Sequence, residues 1–347
     1  MIHEFIEIIQ SYKTAKQNHL RSAIATVVDL DGSSYRKPGV RMIIHDNGQM
    51  IGAVSGGCVE KEIQNQSYTV FKTGEPKIIT YDGRYRLGCE GILYILIELF
   101  DPETEMLRAL DKCLEERESL KIDCFYKKEA TINSDFGSVI TLENSKSYKF
   151  NKSKTPKNKN RLNLSVFSQK LGPLFRLIII GSEHDAVQLC SQAFSLGWEI
   201  IIITSHSDPQ SIYDFQGARQ LLKKSAEDLD LSLIDNDTAI LLMTHNYAKD
   251  LQFLSALTGS NPIYLGLLGA TNRRERLLNE FIERNPDVSD SFLDIIYGPT
   301  GLNIGAITSQ EIALSICAEI LSVIRNEEPD SLKNLTKKIR YPLFTGE

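Results

Sequence analysis

The six cysteines, at positions 58, 89, 113, 124, 190 and 317 of 347 residues, include no CxxC pair. Cysteines this sparse do not build a disulfide framework, and without close pairs a structural zinc site has no support. Long apolar runs are missing too: no stretch reaches the roughly 20 residues a membrane-spanning helix needs. The opening segment spaces Ile2, Phe5, Ile6, Ile8 and Ile9 as an amphipathic helix interrupted by Glu4 and Glu7. It lacks the basic start and continuous apolar core of a signal peptide, so a cytoplasmic protein without a membrane partner is expected. Positive charge is not in excess. The net charge of -6 argues against a nucleic-acid partner. No internal repeat and no long low-complexity tract is present.

What is present suffices for two domains of ordinary size. With 42% hydrophobic and 24% charged residues the chain reads as soluble and globular. Residues 22–57 predict a strand, a polar loop, then a hairpin turning at Asp46-Asn47-Gly48. A helix is expected from near Val59 to Gly74, followed by strands at "PKIITYD" and "ILYILIELF" and a helix after Asp101-Pro102. This first domain, residues 1–125, is mixed α+β. Residues 126–172 carry weak strand signals at "FGSVITLE" and "LSVFSQ" around a basic stretch. From Lys146 to Arg176 there are nine Lys or Arg and no Asp or Glu. That stretch reads as a solvated linker or mobile hairpin or, alternatively, as a docking surface for an acidic partner or anionic ligand.

Over residues 173–330 the pattern changes. "RLIIIG", "WEIIIITS", "TAILLMT" and "PIYLGLLG" are uninterrupted apolar runs alternating with helical stretches. Such runs belong to strands covered on both faces, and the alternation predicts a Rossmann-like doubly wound parallel sheet. A tail, 331–347, follows.

Several residues are candidates for chemistry. Cys58 stands directly after Gly56 and Gly57 and directly before a helix. The glycines let a ligand approach the backbone, and a helix N-terminus favours anions and lowers a thiol pKa. The position suits thiolate chemistry, a soft metal or a phosphate-bearing cofactor; a small buried residue at a tight turn is the alternative. Cys89 is similarly flanked by Gly88 and Gly91. Cys113, Cys190 and Cys317 fall among apolar helical neighbours and read as packing residues. The loop "GSSYRKPGVR" gathers Ser34, Arg36, Lys37 and Arg41, hydroxyls and cations suited to an anion.

In the second domain only Gly181 fits the dinucleotide fingerprint. Glu183 occupies the second glycine position, and Thr204 stands where an acid for the ribose is usual. NAD(P) is therefore not expected. His184, His245, Arg273 and Arg274 lie at apparent strand ends, with the last two at a helix start that suits an anion.

Together these segments resemble the xanthine dehydrogenase accessory factor family, XdhC/CoxI. The matching stretches are "GSSYRKPGVRM", "GQMIGAVSGGCVE", "LGCEGILYILIE", "THNYAKDL", "YLGLLGATNRRERL" and "GPTGLNIGAITSQEIALSICAEI". The resemblance implies an N-terminal XdhC/CoxI domain and a C-terminal Rossmann-like domain. It implies a chaperone that binds molybdenum cofactor (molybdopterin) transiently, supports its sulfuration and delivers it to a molybdenum hydroxylase such as xanthine dehydrogenase. A cysteine desulfurase as further partner and a homodimer go with that reading. Cys58 matches the cysteine of the family's G-G-C-v-E motif. Cys89 matches that of its G-C-G-G motif, although Glu90 stands where a glycine is usual. At the Rossmann turn, G-A-G-H is replaced by Gly181-Ser182-Glu183-His184. After the second strand, D-x-R is replaced by Thr204-Ser205-His206. No catalytic residue and no metal ligand set is assigned. A nucleotide-dependent oxidoreductase, or a metal- or redox-dependent regulator using the same cysteines, are the competing functions.

Overall fold

The computed structural model describes residues 2–32, 34, 37–55, 57–82, 91–143, 145–153 and 163–334. The chain divides into two units, Met1–Leu174 and Phe175–Glu347. The expected amphipathic start is helix α1, Ile2–Gln17, burying Phe5, Ile8, Ile9 and Tyr12. Then come β1 (Ser22–Asp31), β2 (Arg41–His45), β3 (Met50–Gly52), α2 (Cys58–Thr73), β4 (Lys77–Asp82), β5 (Ile92–Leu99) and α3 (Thr104–Glu115). The β2–β3 hairpin turns at Gly48, whose φ of 90° supplies the left-handed geometry foreseen from Asp46-Asn47-Gly48. Helix α2 stops where Gly74 enters the left-handed region and its amide returns to the Val70 carbonyl.

Strands β6 (Leu120–Tyr126), β7 (Thr131–Ile132), β8 (Gly137–Leu142), β9 (Ser147–Lys149) and β10 (Ser165–Leu171) complete the first unit. Its two sheets run β3-β2-β1-β5-β4-β7 and β10-β6-β8-β9. Because β2 alternates, Ile43 buries its side chain with α1 and the second sheet, whereas Met42 and Ile44 bury theirs with Val59 and Ile63 of α2. The first sheet thus has α1 on one face and α2 on the other.

The second unit contains β11 (Arg176–Ile180), α4 (His184–Ser195), β12 (Glu199–Thr204), β13 (Gln220–Lys223), β14 (Thr238–Leu242), α5 (Tyr247–Ala256), β15 (Tyr264–Leu267), α6 (Thr271–Arg284), α7 (Asp290–Asp294), β16 (Ile296–Tyr297) and α8 (Ser309–Arg325). All strand pairs are parallel, in the order β13-β12-β11-β14-β15-β16. Numbered within the unit this is 3-2-1-4-5-6, the doubly wound order with its switch point between β11 and β14. Every residue of β11, β12 and β14 is buried, as the apolar runs predict. Among the described residues no helix is long and apolar enough to cross a membrane.

Candidate functional site

In the first unit the candidate centre is the turn that starts α2. Gly57 is its N-cap with φ 118°, and the position a Cβ would take there has no atom within 4 Å among the described residues other than its chain neighbours. Cys58 is the first helical residue. Gly56, Cys89 and Arg36 lie outside the described residues, as does the Cys58 side chain.

The turn is shaped by Glu60, a residue that the motifs alone leave without a role. Its Oε1 accepts the amides of Val54 (3.1 Å) and Ser55 (2.6 Å), and its Oε2 accepts the Ser55 hydroxyl (2.9 Å) and the Gly57 amide (2.8 Å). Burial raises the Glu60 pKa, but the bonds from its own backbone amide, from Ser55 and from Gly57 outweigh it, leaving the carboxyl below its ordinary 4.5. An acid three residues after the N-cap is the spacing that lets a carboxylate reach back to the cap amide. That spacing is legible in "GGCVE". These loop amides are therefore committed to Glu60.

The cationic loop behaves differently from its sequence. Lys37 is exposed and Ser34 half-buried. Arg41 is 6% exposed and turns inward. Its Nη1 donates to the Gly39 carbonyl (2.9 Å) and to the Gln169 side-chain oxygen of β10. Gly39 has φ 101°, and a Cβ there would run into the Gln169 amide. Arg41 thus pins the loop's end. Burial lowers its pKa, with Cys124 and Glu98 pulling the other way. Nε and Nη2 of Arg41 are buried without a hydrogen-bond partner among the described residues. Register puts Arg41 on the same face as Ile43, so the structure does not bring its guanidinium to the turn before α2. Cys113, Cys190 and Cys317 are buried, and burial pushes their thiols up to about 11, 11 and 12.

In the second unit the switch point brings Gly181, His184 and His245 into one region. Gly181 (φ 143°) packs so closely on β14 that a Cβ would overlap the Met243 carbonyl. Ser182 donates its hydroxyl to Asp208, closing the loop after β12 over the fingerprint turn. Glu183 is the N-cap of α4 without a side-chain capping bond, and His184 is exposed. His245 holds a left-handed backbone (φ 54°), and its Nε2 lies 3.5 Å from Asp185 Oδ2.

Arg273 and Arg274, adjacent in sequence, part company. Arg273 Nη2 donates to buried Asp250 (2.6 Å) and its Nη1 to the Leu268 carbonyl (3.0 Å). Asp250 Oδ1 also accepts the Thr244 hydroxyl (2.6 Å), so this cation is neutralised while it joins the loops after β14 and β15. Arg274 makes no ion pair among the described residues, and its Nε is buried without a partner. It stands beside the N-terminus of α6, which has no side-chain cap. Among the described residues no cluster of three His, Cys, Asp or Glu could hold a metal ion.

A mixed α/β unit with a glycine turn at a helix start, joined in sequence to a 3-2-1-4-5-6 Rossmann unit, defines the class. Residues 15–82 match the XdhC and CoxI family, and residues 177–320 match the XdhC Rossmann domain. The chain belongs to the XdhC and CoxI family. It is 28% identical over 327 residues to a probable xanthine dehydrogenase subunit from Bacillus subtilis, with 86% of this chain and 92% of that one covered. It is 26% identical over 315 residues to "Molybdenum cofactor insertion chaperone PaoD" of Escherichia coli, covering 89% and 86%. A crystal structure described as a xanthine dehydrogenase from Bacillus halodurans superposes with a TM-score of 0.76 at 26% identity, over 93% of this chain and 97% of that one.

Proposed function

We propose that this chain binds molybdenum cofactor as cargo, supports its maturation, and hands it to a molybdenum hydroxylase of the xanthine dehydrogenase type. The observation that carries the reading is the Glu60-ordered turn, which places Cys58 at the first position of α2 inside the segment matching the XdhC and CoxI family. A glycine at the N-cap lets a ligand approach the backbone closely, and helix amides favour a phosphate. The PaoD relative, named as a molybdenum cofactor insertion chaperone, supports the same role. In this reading Cys58 and Cys89 offer sulfur, and Gly56 and Gly57 clear the approach. Ser34, Arg36 and Lys37 supply the polar loop, and Arg41 fixes that loop's end. A cysteine desulfurase and a second copy of the chain are its proposed further partners.

The test is retention of molybdenum and pterin by purified protein, compared with Cys58→Ala and Cys89→Ala. Retention by the native chain and loss in the variants is expected. Equal retention in all three overturns the site; no retention by any overturns the role.

One observation favours a second reading. The 3-2-1-4-5-6 order makes the crevice beside His245 and Arg274 a place where a nucleotide-dependent oxidoreductase would bind its cofactor. Against it stand the Glu183 carboxylate at the fingerprint turn and the Ser182–Asp208 bond across it. Calorimetric titration with NAD(H) and NADP(H) decides; saturable binding below millimolar concentration would favour the oxidoreductase.

A further inference from the structure

A second polar constellation lies in the first unit, on the face of the first sheet opposite α2. Ser11 of α1 sits over the end of β2, where His45 is 3% exposed. His45 Nε2 lies 2.7 Å from Ser11 Oγ, and its Nδ1 lies 2.9 Å from Ser22 Oγ at the start of β1. Both ring nitrogens are engaged, so the imidazole is fixed in orientation; in the tautomer whose Nδ1–H donates to Ser22, Nε2 is the acceptor facing the Ser11 hydroxyl. Burial lowers the His45 pKa, with Asp46 opposing, so the ring is neutral and able to accept a proton at neutral pH.

This constellation opens onto solvent. Ser11 and His45 line a cleft of about 380 Å³ with Thr14, Asn18, Leu20 and Gln49. Among the described residues no Asp, Glu, Lys or Arg lines it. The cleft therefore suits a neutral molecule. Asn18 gives one N–H to the Thr14 carbonyl, and the Gln49 oxygen accepts from Asn47. Each side-chain amide keeps N–H donors for a carbonyl oxygen in the cleft.

We propose that Ser11, His45 and Ser22 form a nucleophilic relay that is acylated by small, neutral carboxylic esters. Nucleophile and base stand within hydrogen-bond reach, and a third group orients the base. Ser11 Oγ bonds to the ester carbonyl carbon while its proton passes to His45 Nε2. The carbon–oxygen bond to the leaving alcohol breaks, and that alcohol takes the proton from His45. Water, deprotonated by the same nitrogen, then releases the acid and restores Ser11.

The experiment uses the full chain with p-nitrophenyl acetate and, separately, a serine-directed fluorophosphonate followed by peptide mass analysis. Release of nitrophenol above buffer and one adduct on Ser11 are expected. Ser11→Ala should lose the adduct, and Ser22→Ala should slow acylation about 10-fold. His45→Ala should slow it about 100-fold or more, with partial recovery on adding imidazole. Because the native chain alone yields the adduct, misfolding of a variant does not decide the result. No adduct on native Ser11, or hydrolysis unchanged in Ser11→Ala, overturns the proposal. Cofactor retention is measured separately, so this relay and the chaperone role stand or fall independently.

Discussion

Glu60 Oε2 accepts the amide of Gly57 at 2.8 Å, from one turn inside the helix that Gly57 begins. Through this bond the acid that follows Cys58 in sequence holds the turn that precedes it. Glu60→Gln should cost about 1 to 3 kcal/mol, because the buried Val54 amide and the part-buried Ser55 and Gly57 amides lose a charged acceptor. It should also reduce cofactor retention. Urea unfolding and molybdenum analysis check the two effects. A turn that needs no Glu60 would leave both unchanged.

The same carboxyl sets an acid limb. Its folded pKa is below the ordinary 4.5, so its contribution is fully present above that value and is lost as pH falls through the folded value. Native stability should therefore drop more steeply below about pH 4.5 than that of Glu60→Gln. Parallel curves of stability against pH would contradict this.

His45 works in the opposite chemical sense but the same pH direction. Burial holds its folded pKa below 6.5, so the unfolded chain takes up the proton first as pH falls. The neutral form's advantage is complete above pH 6.5 and shrinks below it, by up to about 1.4 kcal/mol per pH unit. His45→Gln should flatten the native curve in that window. Denaturant melts at stepped pH values read this directly.

Arg273 and Arg274 should separate by assay. Arg273→Met leaves Asp250 buried without its cation, at about 3 kcal/mol, the low end for a broken buried pair because Arg273 is partly exposed. Arg274→Met removes a cation with no ion-pair partner among the described residues, and stability should stay within about 1 kcal/mol. Any phosphate affinity of the α6 start should disappear with Arg274. Equal melting losses for the two variants would refute the division.

Gly181→Ala tests why that glycine is present. Its φ of 143° and the Met243 carbonyl leave no place for a Cβ. A loss of at least about 2 kcal/mol is expected with no nucleotide in solution. An unaltered melt would mean that the glycine serves a ligand instead.

The buried strands announce themselves because β11, β12 and β14 carry continuous apolar runs between polar ends such as Arg176, Glu199 and Thr238, and Gly48 and Gly74 punctuate the chain where left-handed backbone is needed. Arg41 reads in sequence as a loop cation, and the structure corrects that. The cue to its inward turn is the alternation Arg41, Ile43, His45, which puts the guanidinium on a buried face. No local pattern shows that Gln169, 128 residues away, receives it. β13 is four residues long, and in the second sheet of the first unit β10 pairs with β6, which lies far from it in sequence. Such pairings are fixed by tertiary contacts that propensity does not carry. Ser11 and His45 are likewise joined only by the packing of α1 on β2.

Cargo binding at the turn before α2 is what sets the proposed role of this chain. Its most direct measurement is molybdenum and pterin content of the protein purified alongside Cys58→Ala and Glu60→Gln. Bound cofactor is expected in the native chain, with near-complete loss without the thiol and partial loss when the turn is loosened. Full retention by both variants would contradict it.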